Sequence, residues 1–214
     1  MTGLAIPPGN SAPDLLYSDE SLLVAVKPAG LLAVPGRGAD KQDCLSLRLQ
    51  QEFPDVLVVH RLDMATSGLL VFARGVSMQR RLSNMFRDRE VDKRYVAVVA
   101  GRLEPAAGEV DLPIAADWPN RPLRKIDAVA GKPSLTRYRS LSHGVDCTRV
   151  ELEPVTGRTH QLRIHMAAIG HPILGDALYG DSASAPRLLL HACSLGFAHP
   201  LSGAPLNFSH PPPF

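Results

Sequence analysis

Short apolar blocks separated by polar segments run along most of the chain, and their lengths predict strands more often than helices. Residues 22–26, 69–73 and 95–100 are continuous apolar runs rich in Val, Leu and Ala. Blocks of this length with many β-branched residues are typical of buried strands. Residues 15–26 are predicted to form two short strands joined by a Ser-Asp-Glu turn. Further strands are predicted at residues 55–60, 135–142, 147–153, 188–190, 195–198 and 206–208.

Helical spacing of apolar residues appears in three segments, which are residues 44–53, 77–89 and 160–169. Asp43 is placed to cap the first helix, and Pro54 is placed to end it. The second helix is basic and carries its apolar residues on one face. Thr159 is expected to cap the third helix, which Gly170 terminates.

The order of these elements predicts the fold class and the domain organisation. Runs of strands broken by single helices, without regular β-α alternation, favour an α+β fold with a mixed, mostly antiparallel sheet. Residues 1–14 are rich in Pro, Gly, Ser and Asn and are expected to form a mobile tail, while residues 15–214 form one domain. Several prolines make residues 108–124 an expected irregular excursion.

Composition and charge exclude some classes of protein and leave others open. The chain of 214 residues is 45% apolar and 21% charged, and no apolar run approaches the ~20 residues that a membrane span needs. The start lacks a signal-peptide pattern, and three scattered cysteines form neither a metal spacing nor an even disulfide set, so we expect a cytoplasmic protein. The net charge is only +2, yet residues 74–94 carry 7 Lys/Arg against 3 Asp/Glu, and residues 121–139 carry 6 against 1. Such segments either bind phosphates or are ordinary solvated faces.

One carboxylate stands out because it lies on a loop between two predicted buried strands. The loop spans residues 60–68 and carries Arg61 and Asp63. Loops held by a rigid scaffold often position catalytic groups. Asp63 is not followed directly by the Thr of aspartic proteases, and Leu62 interrupts the H-R-D order of protein kinases. The alternative is that Asp63 only caps a turn and that Arg61 is a surface charge.

The string from His60 to Gly68 reads H-R-L-D-M-A-T-S-G and resembles the catalytic motif H-R-L-D-x-x-T-S-G of the RluA-type pseudouridine synthases. Four further segments resemble motifs of the same family in the same order. They are Lys27-Pro28-Ala29-Gly30, Lys93-Arg94-Tyr95, Gly157-Arg158-Thr159-His160-Gln161-Leu162-Arg163-Ile164-His165 and His171-Pro172-Ile173-Leu174-Gly175-Asp176. The resemblance covers roughly residues 15–214 and implies a single pseudouridine synthase catalytic domain without the S4 domain that many members carry.

The resemblance implies an isomerase that converts uridine to pseudouridine in structured RNA, with no cofactor and no metal. Residues 117–122 and 131–133 resemble a short subgroup that acts on both 23S rRNA and tRNA. The implied targets are uridine 746 of 23S rRNA and uridine 32 of the tRNA anticodon loop. The target base must be flipped out of the RNA fold before it can react. A monomer without membrane contact is expected.

The family motifs assign roles to individual residues. The catalytic group comprises Asp63, Tyr95 and Arg163. Residues expected to contact RNA are Arg61, Arg158, Lys93, Arg94, His60 and Thr66. The uracil pocket is expected to include Leu62, Leu162 and Ile164. By resemblance Asp63 acts as a nucleophile on the ribose or as a base, and Arg163 pairs with it.

Structural alternatives remain for several of these residues. Tyr95 could be an ordinary strand residue, Arg163 a solvent-facing helix residue, and His60 a residue that holds the loop through hydrogen bonds. His160 and His165 are five residues apart and no H-E-x-x-H occurs, which argues against a zinc helix.

Two rival functions stay open at the level of the sequence. The first is a catalytically silent RNA-binding or ribosome-assembly protein on the same fold. The second is a hydrolase that cleaves nucleosides or RNA with Asp63 as its nucleophile.

Overall fold

The computed structural model describes residues 12–214, so most of the predicted tail lies outside the described residues. Within this range the chain forms twelve β-strands and three α-helices. The strands are β1 (Asp14–Ser18), β2 (Leu22–Lys27), β3 (Val56–Val58), β4 (Ser67–Arg74), β5 (Asp92–Ala100), β6 (Ala107–Asp111), β7 (Ile114–Ala116), β8 (Arg124–Ile126), β9 (Leu135–His143), β10 (Cys147–Pro154), β11 (Leu190–Ala198) and β12 (Pro205–Ser209). The helices are α1 (Leu45–Glu52), α2 (Gly75–Asp88) and α3 (Gln161–Ala168).

The chain divides into two compact units. The first comprises the described residues up to Lys93 together with Ala192–Pro213, and the second comprises Arg94–His191 with Phe214. The expectation of one domain over residues 15–214 stays a prediction.

The first unit is built around strand β2. This strand pairs antiparallel with β1 on one side and with β4 on the other, and β3 also pairs with β4. Strands β11 and β12 form an antiparallel hairpin. Every residue of β2 is buried, which explains its unbroken apolar run. The core comprises Leu22, Val24, Val26, Leu69, Val71, Ala73, Met78, Leu82, Val91, Leu195 and Phe197.

Helix α2 covers this core with the apolar face that its sequence spacing predicts. Met78 and Leu82 are buried, whereas Arg80, Arg81 and Arg87 are exposed. The helix ends at Arg89, whose left-handed backbone (φ 64°) turns the chain so that the next N–H, of Glu90, also donates to the carbonyl of Met85, at 2.9 Å. The predicted basic helix over residues 77–89 is therefore confirmed.

The second unit contains an antiparallel sheet in the order β5-β10-β9-β6. Helix α3 contacts β8, β9 and β10. The predicted pair of strands at residues 135–142 and 147–153 is confirmed as β9 and β10. The irregular excursion predicted for residues 108–124 is wrong in part, because β6 pairs with β9 there and β7 pairs with β8. Prolines lie between these strands and therefore do not interrupt their pairing.

Both predicted helix caps are wrong. Asp43 does not cap α1, since its carboxylate instead pairs with Arg48 at 2.7 Å between Oδ2 and Nη2. Thr159 does not cap α3, because the N-cap is His160 in a left-handed conformation (φ 57°) without a side-chain cap. Asp43 and Thr159 therefore marked the starts of helices correctly, but neither side chain caps its helix.

The α+β class with a mostly antiparallel sheet is confirmed. The separate strand predicted at residues 188–190 is wrong, since one strand, β11, begins at Leu190 and continues to Ala198. None of the helices formed within residues 12–214 is long and apolar enough to cross a membrane.

Candidate active site

Asp63 lies in the first unit on the loop between β3 and β4, and its side chain is half-buried. The backbone of this loop is fixed around the carboxylate. The N–H of Thr66 donates to the carbonyl of Asp63 at 3.1 Å, and the N–H of Gly30 donates to the carbonyl of Met64 at 2.8 Å. Because both carbonyls are held, the backbone that carries the Asp63 side chain is fixed in place.

The side chain of Lys27 provides a third anchor for the Asp63 loop. Lys27 ends β2, is fully buried and donates from Nζ to the carbonyls of Pro28 at 2.8 Å, Leu31 at 2.7 Å and Met64 at 3.0 Å. Buried ammonium groups need such partners to offset the loss of hydration. The K-P-x-G turn therefore holds the residue that directly follows the candidate catalytic carboxylate.

Gly68 closes the loop at the start of β4, and only glycine fits there. Its φ is 117°, a region that L side chains rarely adopt, and a Cβ at this position would overlap the carbonyl of Ala192. The last residue of the H-R-L-D-x-x-T-S-G string is thus required by the close approach of two strands.

His60 fastens the other end of the loop through its ring. Its Nε2 accepts the N–H of Val71 at 3.0 Å, and the ring stacks on Phe86 with the ring centroids 4.2 Å apart. Burial, and to a lesser extent the nearby Lys93 charge, lowers the pKa of His60 to about 3. A neutral ring is required, because a protonated Nε2 could not accept this hydrogen bond. This geometry fits a residue that holds the loop, and an RNA contact by His60 stays a prediction.

The remaining predicted residues of the loop differ in exposure. Arg61 is exposed, and no other residue within 12–214 forms an ion pair with its guanidinium. Leu62 and Thr66 are buried, with 9% and 3% of their surfaces exposed. Arg61 is therefore accessible to a ligand, whereas an RNA contact by Thr66 and the pocket role of Leu62 stay predictions.

Arg163 lies in the second unit, where it forms a buried ion pair with Asp176. Its Nε donates to Oδ2 of Asp176 at 2.8 Å, and its Nη2 donates to Oδ1 at 2.7 Å. Only 4% of Arg163 and none of Asp176 is exposed. Burial alone would raise the pKa of Asp176, but the hydrogen bonds and charge of Arg163, together with the backbone N–H groups of Leu178 and Tyr179, outweigh burial and hold that pKa below its usual value. The alternative of a solvent-facing helix arginine is wrong.

Helix α3 carries Arg163 and is buried along most of its length. Gln161 and His165 are buried with it, and both bind Thr136 of β9, at 3.0 Å from Gln161 Nε2 and at 2.9 Å from His165 Nδ1. His165 Nε2 lies 2.9 Å from the carbonyl of Leu112. Desolvation lowers the pKa of His165, so the ring is neutral near pH 7. These polar contacts fix the rotation of α3 and hence the direction of Arg163.

Tyr179 connects Asp176 to two other segments of the second unit. Its hydroxyl lies 2.8 Å from His160 Nδ1 and accepts the N–H of Arg124 at 2.8 Å. Its backbone N–H donates to Oδ1 of Asp176 at 3.2 Å. The guanidinium of Arg163 lies 5.4 Å from the Tyr179 ring centroid. Tyr179 therefore contacts both members of the Arg163–Asp176 pair.

The K-x-Y residues occupy β5. Tyr95 is half-buried and pairs in register with Leu152 of β10. Arg94 forms an ion pair with Glu153. Burial, followed by the charge of Arg89, lowers the pKa of Lys93. The roles of these residues toward RNA or uracil stay predictions.

Arg158 is exposed just before α3, and its Nε donates to the carbonyl of Pro133 at 3.3 Å. Its backbone N–H donates to Gln161 Oε1 at 3.0 Å, which closes the turn that precedes the helix. Leu162 and Ile164 are each 6% exposed, and their pocket role stays a prediction.

Three residues of this arrangement were missed as site residues at the level of the sequence. Asp176 ends the H-P-I-L-G-D motif, so its position in a motif was the available signal. Lys27 carried the same kind of signal in K-P-A-G. Tyr179 had none, since it follows the motif in an irregular segment.

Comparisons with known proteins agree on one family. Residues 21–168 match the model of a family described as RNA pseudouridylate synthase. The dual-specificity RNA pseudouridine synthase RluA of Escherichia coli (strain K12) is 49% identical over 204 residues, which cover 94% of this chain and 93% of that protein. The protein of the same name from Pasteurella multocida (strain Pm70) is 46% identical over 212 residues, 97% of each chain.

Solved structures are similar as well. The human RNA pseudouridylate synthase domain containing 1 has a TM-score of 0.78 at 30% identity, covering 98% of this chain and 87% of that chain. The human RNA pseudouridylate synthase domain containing 4 has a TM-score of 0.75 at 28% identity, and the match covers 94% of this chain and 88% of that chain.

Proposed function

The chain belongs to the RNA pseudouridylate synthase family and is an RNA pseudouridine synthase, an isomerase, and we propose that Asp63 is its catalytic carboxylate. The observation that carries this proposal is the fixed loop around Asp63. Lys27, Gly30 and Thr66 hold the backbone carbonyls of Asp63 and of the next residue, Met64, beside a half-buried carboxylate. A catalytic group must be placed to within a fraction of an ångström, and this loop is built to do so.

The reaction defines what the site must supply. The bond between C1′ of the ribose and N1 of the uracil breaks, the base turns over, and a bond forms between C1′ and C5. The proton on C5 is lost to solvent and a proton returns to N1, so the product has the mass of the substrate. Asp63 acts on the ribose, either as the nucleophile at C1′ or as a base on a ribose proton.

Tyr95 and Arg163 complete the proposed catalytic group. The ring of Tyr95 offers a flat surface for the uracil, and its hydroxyl offers a route for the C5 proton. Arg163 supplies a fixed positive charge to balance the Asp63 carboxylate, in addition to its ion pair with Asp176. Its rigid fork suits a role that requires one orientation.

Arg61 is the proposed residue that replaces the flipped base. Its guanidinium is exposed, planar and cationic, and can stack on bases and reach phosphates. Arg158, Lys93 and Arg94 are proposed to contact the RNA backbone. The proposed pocket for the flipped uracil includes Leu62, Leu162 and Ile164.

The proposed substrates follow from the relatives, which are named as dual-specificity enzymes. We expect modification of uridine 746 in 23S rRNA and uridine 32 in tRNA anticodon loops, by a monomer in the cytoplasm. RNA loops are recognised through shape, stacking and exposed base edges, which suits loops of both RNAs.

Mapping pseudouridines in RNA from a strain that lacks this protein tests the substrate assignment. Total RNA is treated with a carbodiimide that marks pseudouridine and is read by primer extension, before and after incubation with purified protein. Stops that appear at both positions support dual specificity. Stops at one RNA alone limit the enzyme to that RNA, and the absence of any new stop together with tight RNA binding would favour a silent RNA-binding protein.

A further inference from the structure

The turn between β7 and β8 presents an exposed tryptophan. Trp118 is 66% exposed, although tryptophan is normally among the most buried residue types by area. The guanidinium carbon of Arg121 lies 3.6 Å from the centroid of the Trp118 ring and so covers one face of the indole. Because 66% of Trp118 is exposed, the part of the ring that Arg121 does not cover is accessible to solvent. An aromatic ring and a planar cation are therefore layered together on the surface.

The turn that carries this pair is held in one conformation. Asp117 N–H donates to the carbonyl of Leu123 at 3.1 Å, and Leu123 N–H donates to the carbonyl of Asn120 at 3.0 Å. Asn120 Nδ2 also donates to Asp117 Oδ2 at 3.0 Å. Because these contacts close the turn, the tryptophan is presented by an ordered backbone rather than by an open loop.

The segment that follows Trp118 in the sequence is rich in positive residues, and Arg121 and Arg124 lie in the turn or directly after it. Residues 121–139 carry 6 Lys/Arg against 1 Asp/Glu. Within the described part of the chain, Nε of Arg124 is buried without a hydrogen-bond partner. The backbone N–H of Arg124 binds the hydroxyl of Tyr179, which links β8 to the segment that carries Asp176. The turn therefore lies in the same unit as Arg163, and the hydrogen bond between Arg124 and Tyr179 connects it to the segment around Asp176.

We infer that Trp118 and Arg121 form a stacking site for one unpaired base of the RNA substrate, separate from the pocket that receives the flipped uridine. Aromatic rings and arginine planes are the groups on which proteins stack unpaired bases, and the positive segment complements the phosphates beside such a base. An apolar protein partner is a poorer fit, because the single aromatic ring of this turn lies next to Asp117 in the sequence and is covered on one face by Arg121. The inference rests on RNA being the substrate.

Trp118 is the single tryptophan of the chain, so tryptophan fluorescence reports on this site alone. The probe is a tRNA anticodon stem-loop, and the comparison is a fully paired RNA duplex of equal length. Binding of each RNA is measured separately by fluorescence anisotropy of a labelled RNA. Stacking predicts that the bound stem-loop quenches Trp118 and shields it from acrylamide, whereas the bound duplex does neither. A saturated stem-loop complex with unchanged tryptophan emission and unchanged acrylamide access would overturn the inference.

Substitution gives a second, independent measurement. Trp118→Ala is expected to weaken stem-loop binding by about 5- to 150-fold, the range found when a stacking aromatic is removed, whereas Trp118→Phe keeps most of the affinity. Val129→Ala, which shortens a side chain that is 97% exposed on the same unit, is the matched control and should bind as wild type does. Equal affinity of wild type and Trp118→Ala would contradict the stacking site.

Turnover separates a failure of this inference from a failure of the proposed function. Tritium release from RNA labelled at C5 of uridine is measured at saturating RNA. If wild type releases tritium and Trp118→Ala binds RNA as tightly as wild type does, the proposed enzymatic function is supported and the stacking site is contradicted. If wild type binds the stem-loop and its tryptophan emission is quenched but no tritium is released, the stacking site is supported and the proposed function is contradicted.

Discussion

Arg163 and Asp176 form a buried, two-pronged ion pair, with Nε 2.8 Å from Oδ2 and Nη2 2.7 Å from Oδ1. Paired hydrogen bonds of this kind fix the plane of the guanidinium as well as its position. Asp176 itself accepts the N–H groups of Leu178 and Tyr179. The direction of Arg163 is therefore set by a carboxylate that is in turn held by backbone donors.

The first prediction concerns this pair. Asp176→Asn keeps the shape of the side chain but removes the negative charge that pairs with the buried Arg163 guanidinium, which is expected to lower the free energy of unfolding by about 3–5 kcal/mol. Urea unfolding followed by circular dichroism measures the change. Asp88→Asn, which breaks the exposed pair with Arg87, is the control and should leave the midpoint nearly unchanged. Equal midpoints for wild type and Asp176→Asn would contradict the role given to Asp176.

The second prediction concerns the buried ammonium of Lys27. Lys27→Met fills a similar volume but leaves the carbonyls of Pro28, Leu31 and Met64 without this donor, so the free energy of unfolding should fall by roughly 2–5 kcal/mol. Protein that remains folded should also show a lower rate of isomerisation, because the loop that carries Asp63 loses an anchor. Lys41→Met, at an exposed position, should change neither quantity. A stable and fully active Lys27→Met variant would show that the loop is held without it.

The third prediction concerns the pH dependence of stability. The pKa of His60 is about 3 in the folded chain and about 6.5 in the unfolded chain. Above pH 6.5 the ring is neutral in both states. Between pH 6.5 and 3 only the unfolded state binds the proton, so the free energy of unfolding falls as pH falls, by at most about 1.4 kcal/mol per pH unit.

Replacing His60 by glutamine tests this dependence. The glutamine carbonyl can accept the N–H of Val71 but does not titrate, so urea midpoints measured from pH 7.5 to 4.5 should fall less steeply for His60→Gln than for wild type. His143→Gln, at an exposed position, should follow the wild-type curve. Identical slopes for wild type and His60→Gln would mean that the ring titrates normally.

The fourth prediction separates two roles of Tyr95. Tyr95→Phe keeps a flat ring and removes the hydroxyl, so RNA affinity should persist while the single-turnover rate of tritium release falls by about 100-fold or more, as loss of a proton-transfer group does. Tyr138→Phe on β9 serves as the control. A wild-type rate in Tyr95→Phe would exclude proton transfer by the hydroxyl and leave stacking alone.

Much of the scaffold was predictable from apolar patterning. Strand β2 and strand β4 are buried on both faces, and burial on both faces produces the unbroken apolar runs by which they were predicted. Short β7 and β8 escaped prediction, because three-residue strands bounded by prolines leave no periodic pattern. Tertiary pairing, not local preference, makes these residues extended.

The partners of polar side chains were much harder to predict. Nothing in the pattern around Lys27 indicates that its ammonium is fully buried, because its three acceptors are backbone carbonyls that any sequence supplies. Asp43 is separated from its partner Arg48 by a helical turn, and a cap was the local alternative. Motif strings pointed to positions such as Asp63 and Arg163, whereas Asp176 became visible as a partner only in three dimensions.

The central claim is that Asp63 carries out the isomerisation, and a single-turnover tritium-release assay tests it most directly. Wild type, Asp63→Asn and the control Asp55→Asn, which alters an exposed carboxylate directly before β3, are incubated with RNA labelled at C5 of uridine from a strain that lacks the protein. RNA length, free uracil and RNA affinity are measured alongside. We expect wild type and Asp55→Asn to release tritium with RNA length unchanged and no free uracil, and Asp63→Asn to bind RNA but release none. Release by Asp63→Asn at the wild-type rate would contradict the account, and free uracil or shortened RNA from wild type would identify a hydrolase instead.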